Sequence, residues 1–127
     1  MTKPSEGELN EFANRVLKFL HRKGTPGVFF LSSREIKDIN RKYRGVDKTT
    51  NVLAIESPAD FPSLPAAESP YLGDVYLNPD YIAKHKEDFH YLLIHGLLHL
   101  LGFNHLKASD RMKMEKEEQR ILTSLVK

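Results

Sequence analysis

Apolar positions recur along this chain with two periods, and the changes between them mark out the elements. Leu9, Phe12, Ala13, Val16, Phe19 and Leu20 stand three or four apart among polar and charged residues, which predicts a helix buried along one face. Ser5 and Glu8 are spaced as a capping box before it, and Gly24 ends it. The run GVFFLS, residues 27 to 32, predicts a short buried strand. Ser32 and Glu35 then form a second capping box, for a helix with Ile36, Ile39 and Tyr43 on its inner side. TNVLAIE, residues 50 to 56, and YLGDVYLN, residues 71 to 78, predict two further strands, with Pro79 placed to open the next helix. Between them, residues 57 to 70 hold four of the seven prolines and no periodicity, which predicts a long surface loop. A mostly apolar helix is expected from about Asp88 to Leu101, stopped by Gly102, and a charged helix capped by Ser109 from there to about Val126. Strands and helices interleave, so the expected class is α/β or α+β, a single layer of helices on a small mixed sheet of three to four strands.

Length and composition narrow the picture. A chain of 127 residues is about the size of one domain, expected to span residues 1–127. Cysteine is absent, so any soft metal must be held by imidazole or carboxylate. The first residues, MTKPSEGELNEF, carry no secretory or organellar signal, and the longest apolar run, YLLIHGLLHLLGF, is too short to span a bilayer. A cytoplasmic protein without a membrane partner is expected. Net charge is only +2, but residues 1 to 48 hold 11 basic and 6 acidic side chains. The positive charge is therefore concentrated in the first part of the chain.

Candidate chemistry lies in HGLLHLLGFNH, residues 95 to 105, which holds three of the six histidines. His95 and His99 are four apart and share one helix face. A left-handed residue at Gly102 would reverse the chain and bring His105 back toward them. Buried without partners, three such rings would cost roughly 1 to 3 kcal/mol each, a penalty a shared metal removes. The spacing H-x-x-x-H-x-x-G-x-x-H is that of the metzincin zinc helix, and three imidazoles with an open fourth position are what a catalytic zinc requires. One zinc ion per chain is expected on His95, His99 and His105. His21, His85 and His90 fit no ligand spacing with this set and are expected at the surface.

Gly96 stands where zinc peptidases of the H-E-x-x-H type carry their general base, and a glycine there also lets another backbone or a substrate approach the helix closely. Loss of a positioned base typically costs about 10²- to 10⁴-fold, which weakens a peptidase reading. Lys37, Arg41, Lys42, Arg44 and Lys48 cluster at the end of the second helix and in the following loop, an arrangement suited to phosphate. Asp74, after Gly73, fits either of two roles, orienting a ligand histidine or water, or capping a turn.

The histidine segment resembles the H-G-x-L-H-L-x-G-[YF]-D-H signature of the YbeY proteins, metal-dependent single-strand endoribonucleases of rRNA maturation. NRKYRGVDKTTNVLAIE resembles that family's second signature, and YLGDVYLN its Leu-Gly-Asp strand, so three blocks in order cover residues 40 to 105. Asn104 stands where the family usually has aspartate, and Ala54 and Ile55 replace a usual Ser-Phe. The resemblance implies a zinc-dependent, single-strand-specific endoribonuclease that matures the 3′ end of small-subunit rRNA and serves ribosome quality control. Its partners would be single-stranded RNA and the small ribosomal subunit, with no DNA expected. By the same resemblance Arg44 takes the role of a functionally important arginine, supporting charge on the phosphoryl group, and Lys42 and Lys48 are candidate substrate-binding residues. Two other readings remain. One is a zinc hydrolase of peptide or amide bonds, with Met112 and Met114 offered as its Met-turn. The other is a non-catalytic ribosome-associated factor with a structural metal.

Overall fold

The structure, a computed structural model, describes residues 3–57 and 70–126. Its elements run α1 (Glu6–Phe19), β1 (Thr25–Phe30), α2 (Ser33–Arg44), β2 (Val52–Glu56), β3 (Tyr71–Leu77), α3 (Pro79–Lys84), α4 (Phe89–Leu100) and α5 (Ala108–Leu125). The chain is α+β. The surface loop expected over residues 57 to 70 lies almost wholly outside the described residues.

Local signals account for most element ends. Ser5 accepts from the Glu8 amide at the start of α1, while Glu6 reaches across to accept from the Phe30 amide in β1. Ser32 and Glu35 form the full reciprocal box that opens α2. Pro79 occupies the first turn of α3 behind an Asn78 cap, and Asp88 caps α4 by accepting from Tyr91. Ser109 is a correction: α5 begins at Ala108 behind Lys107, whose carbonyl already accepts from the Arg111 amide. Ser109 therefore lies inside the first turn, too late to cap it.

The three strands pair in the order β1-β3-β2, with β1 parallel and β2 antiparallel to the central β3. Alternation along β3 sends Val75 and Leu77 to the inner face, where Val28, Ala54 and Phe30 join them. Against that face packs α4, buried through Leu92, Leu93, Ile94, Leu97 and Leu98. Its other sides are covered by α1 through Leu9, Phe12 and Val16 and by α5 through Met114 and Ile121. A helix covered on this many sides is apolar except along one face, that of Tyr91, His95 and His99, which are not buried. Ile36 of α2 and Leu53 of β2 are buried outside this core, and Tyr76 of the outer sheet face borders Ile39 and Tyr43 of α2. Thus α2 lies beside the outer face of the sheet, with its last turn at the edge of β2.

Candidate metal centre

The helix that carries the first two histidines ends in a turn that delivers the third. Gly102 has φ +99° and its amide donates to the His99 carbonyl, while the Phe103 amide donates to Leu98. These two bonds are a Schellman closure, and a side chain at Gly102 would meet backbone strain there. Asn104 then accepts from the Leu106 amide at 3.0 Å, an Asx turn that shapes the approach of His105.

The result is a convergence of three rings. Nε2 of His95 lies 3.2 Å from Nε2 of His99 and 3.4 Å from Nε2 of His105. One ligating nitrogen from each falls within 4.8 Å of the others. Nitrogens bound tetrahedrally to one zinc ion at about 2.0–2.1 Å would lie about 3.3 Å apart, so the donor set fits such an ion. His95 and His99 are half-buried and His105 is exposed, so the three rings border solvent rather than sitting wholly inside the leucine core.

Two hydrogen bonds orient the rings from behind. Glu118 of α5, only 2% exposed, places Oε2 3.3 Å from Nδ1 of His95. A proton held on Nδ1 by that carboxylate leaves Nε2 as a lone pair aimed at the centre. Tyr91 also bonds Glu118, and burial together with that carboxylate holds the Tyr91 hydroxyl above its ordinary pKa. His99 has a hydrogen bond with the Phe103 backbone, made possible by the turn at Gly102. Burial, reinforced by the neighbouring His95 and His105, pushes the His99 pKa down to about 4. At neutral pH His99 is therefore uncharged, as a nitrogen donor to a metal must be.

Glu118 was not foreseen. Its signal lay in α5, where Met114 four residues before and Ile121 three after are both fully buried and put a carboxylate on an apolar stripe. Asp74 does not orient a histidine: it accepts hydrogen bonds from the Tyr71 and Tyr76 hydroxyls on the outer sheet face. Burial and this carboxylate raise the pKa of both phenols.

Beside His95 and His99 opens a hollow of about 400 Å³, floored by Gly96 and walled by Arg44 and the Thr50–Ala54 segment. The guanidinium of Arg44 donates to the Ala54 carbonyl, and Asn40, buried in α2, donates to the Lys48 carbonyl at 2.9 Å. These bonds hold the loop after α2 against the β2 edge. Fully buried Asn78 ties the other wall, donating to Ser33 at 2.8 Å and to the Thr50 carbonyl at 3.3 Å. Gly96 has a packing reason. A Cβ there would stand 2.8 Å from Cγ1 of Val75, so glycine lets α4 press onto the sheet.

The structure does not gather every expected residue here. Lys42 lies around the end of α2, in a cleft bordered by Tyr76, and Lys48 is exposed in the loop; neither lines the histidine hollow. His21 and His85 are exposed, but His90 is half-buried, edge-on to Phe12 at 4.8 Å. Its expected surface position is corrected by that ring packing. Met114 is core and Met112 is 67% exposed, both within α5, so neither forms a turn beneath the histidines.

A family model described as Endoribonuclease YbeY matches residues 2–126. The chain belongs to the YbeY endoribonuclease family. The Endoribonuclease YbeY of Pseudoalteromonas translucida is 31% identical over 130 residues, covering 96% of this chain and 83% of that protein. The YbeY of Limosilactobacillus fermentum is 39% identical over 110 residues, covering 76% and 70%. Among solved structures, the solution structure of a Thermotoga maritima protein superposes with a TM-score of 0.50 at 26% identity, covering 92% of this chain and 81% of that one. No helix among the described residues is long and apolar enough to cross a membrane.

Proposed function

We propose that residues 1–127 form one catalytic domain of a zinc-dependent, single-strand-specific endoribonuclease. It acts in the cytoplasm on the 3′ end of small-subunit rRNA, in maturation and ribosome quality control, with the small ribosomal subunit as partner. The observation that carries the reading is the convergence of His95, His99 and His105 beside Arg44 in an open hollow. It is supported by membership of a family whose curated relatives are named endoribonucleases.

His95, His99 and His105 would hold one zinc ion per chain. When bound, it supplies a Lewis acid for a phosphoryl oxygen and a nucleophile available at neutral pH. Glu118 keeps the His95 lone pair turned inward, and Phe103 does the same for His99. Arg44 faces the same hollow and, held by Ala54, presents a fixed cation for the charge that builds on phosphorus. Gly96 carries no proton, so no side chain at that position acts as a base. Lys42 and Lys48 are substrate-binding residues at a distance from the histidines, meeting the strand outside the hollow.

Labelled single-stranded RNA, duplex RNA and casein, incubated with the purified chain before and after chelation and after zinc return, test this reading. Zinc-dependent cleavage of the single strand alone is expected. Cleavage of casein, or RNA cleavage undiminished by chelation, would overturn it.

A further inference from the structure

The histidine hollow is one of three that adjoin around the last turn of α2. It shares Arg44 with a second, of about 280 Å³, lined also by Tyr43, Ile55 and Glu56. That one shares Tyr43 with a third, of about 510 Å³, which reaches Arg41, Lys42 and Tyr76 on the outer sheet face. Consecutive residues at the end of one helix thus border three neighbouring hollows, which mark a path over the surface from the histidines to the outer face of the sheet.

Its lining alternates cations and rings. Tyr43 is 60% exposed, with the Lys42 ammonium 5.7 Å from its ring centre. Tyr76 is held in place by its 2.7 Å hydrogen bond to Asp74 and by Phe29, whose ring lies 5.9 Å away. Two carboxylates, Asp38 and Glu56, also border the path, and Asp38 pairs with Arg41 at 3.5 Å. No carboxylate among the described residues pairs with Lys42, so Lys42 and Arg44 are the cations left to meet phosphate.

We propose that this path is a binding track for the single strand flanking the bond to be cut. Tyr43 stacks an unpaired base and Lys42 meets a phosphate beyond it. The proposal rests on the endoribonuclease reading and adds a subsite to it. Exposed rings interleaved with cations hold single strands with little regard to sequence, since every base offers a face to stack. A base paired in a duplex cannot turn onto Tyr43, so the track also supplies a reason for single-strand preference that the histidine hollow alone does not.

The test compares oligouridylates of about two and about twelve nucleotides, the longer within the range of single-strand binding sites. Affinity is measured by fluorescence anisotropy on metal-stripped protein, and cleavage on the zinc-loaded chain. Tyr43→Ala should weaken binding of the longer strand by about tenfold and leave the dinucleotide unchanged, while Tyr43→Trp keeps both. Lys42→Ala should reduce the log-log salt slope by about 0.7 for the longer strand only. Equal affinity of wild type and Tyr43→Ala for the longer strand, or equal losses on both strands, would overturn the track alone if the wild-type chain cleaves RNA. A wild-type chain that neither binds nor cleaves either strand would overturn the track together with the reading on which it rests.

Discussion

Glu118 Oε2 lies 3.3 Å from His95 Nδ1, although the two residues are 23 positions apart and on different helices. A carboxylate kept this far from water is placed there by the packing of α5 on α4, and its acceptor fixes which nitrogen of His95 faces the centre. Glu118→Ala should therefore weaken zinc binding by about 10- to 100-fold, read by competition with a chelator. Glu118→Gln, which retains an acceptor oxygen for Nδ1–H, should lose much less. Equal losses in the two variants would assign the effect to charge rather than to ring orientation.

His99→Ala removes one of the three donors and leaves His95 and His105 facing each other. The wild-type chain is expected to bind about one zinc ion and the variant none at stoichiometric concentration, by elemental analysis after gel filtration. Stoichiometric zinc in the variant would show that His99 is not a ligand.

Arg44→Ala should retain zinc and a cooperative thermal transition but lose RNA cleavage by about 10²- to 10³-fold in kcat/KM. Arg44→Lys should recover part of the loss, because an ammonium cannot reach Ala54 and phosphate with a planar fork. Unchanged turnover in Arg44→Ala would return the residue to a purely structural role at the β2 edge.

The metal-free chain should lose stability on acidification through His99. Its folded pKa of about 4 lies below the ordinary 6.5, with burial as the main cause. The unfolded chain takes up this proton first, so the stabilising contribution is whole above pH 6.5 and is lost as pH falls toward 4. Thermal melts across that window should show a smaller decline in His99→Gln than in the wild type. Parallel declines would mean that other groups set the acid limit.

Gly96→Ala should destabilise the fold by about 1 to 3 kcal/mol, since its Cβ would press on Val75 at 2.8 Å. Val75→Ala in the same chain should restore part of the loss, measured as the coupling in a double-mutant cycle of denaturant melts. Gly96→Glu should unsettle the sheet contact further, because its Cβ would meet both Val75 of β3 and Val52 of β2.

The spacing of residues along the chain was enough to place His95 and His99 on one helix face, to end that helix at Gly102 and to bring His105 back. All three follow from a helical turn and a left-handed closure, which act over a few residues. The capping box at Ser32 and Glu35 and the cationic end of α2 were legible for the same reason. What the sequence left open was decided by contacts between elements. Gly96 read as a missing base or as room for a close approach, and only the tertiary structure names the Val75 side chain as the group that approaches. Lys42 and Arg44 stood together in sequence, yet they are two positions apart on a helix, so the end of α2 turns Arg44 toward the histidines and Lys42 toward Tyr76. Glu118 lay in a helix that reads as charged, and became the partner of His95 only when α5 packed against α4. Local geometry is set by the bonds of one turn, whereas these side chains take their meaning from a neighbour that sequence distance does not reveal.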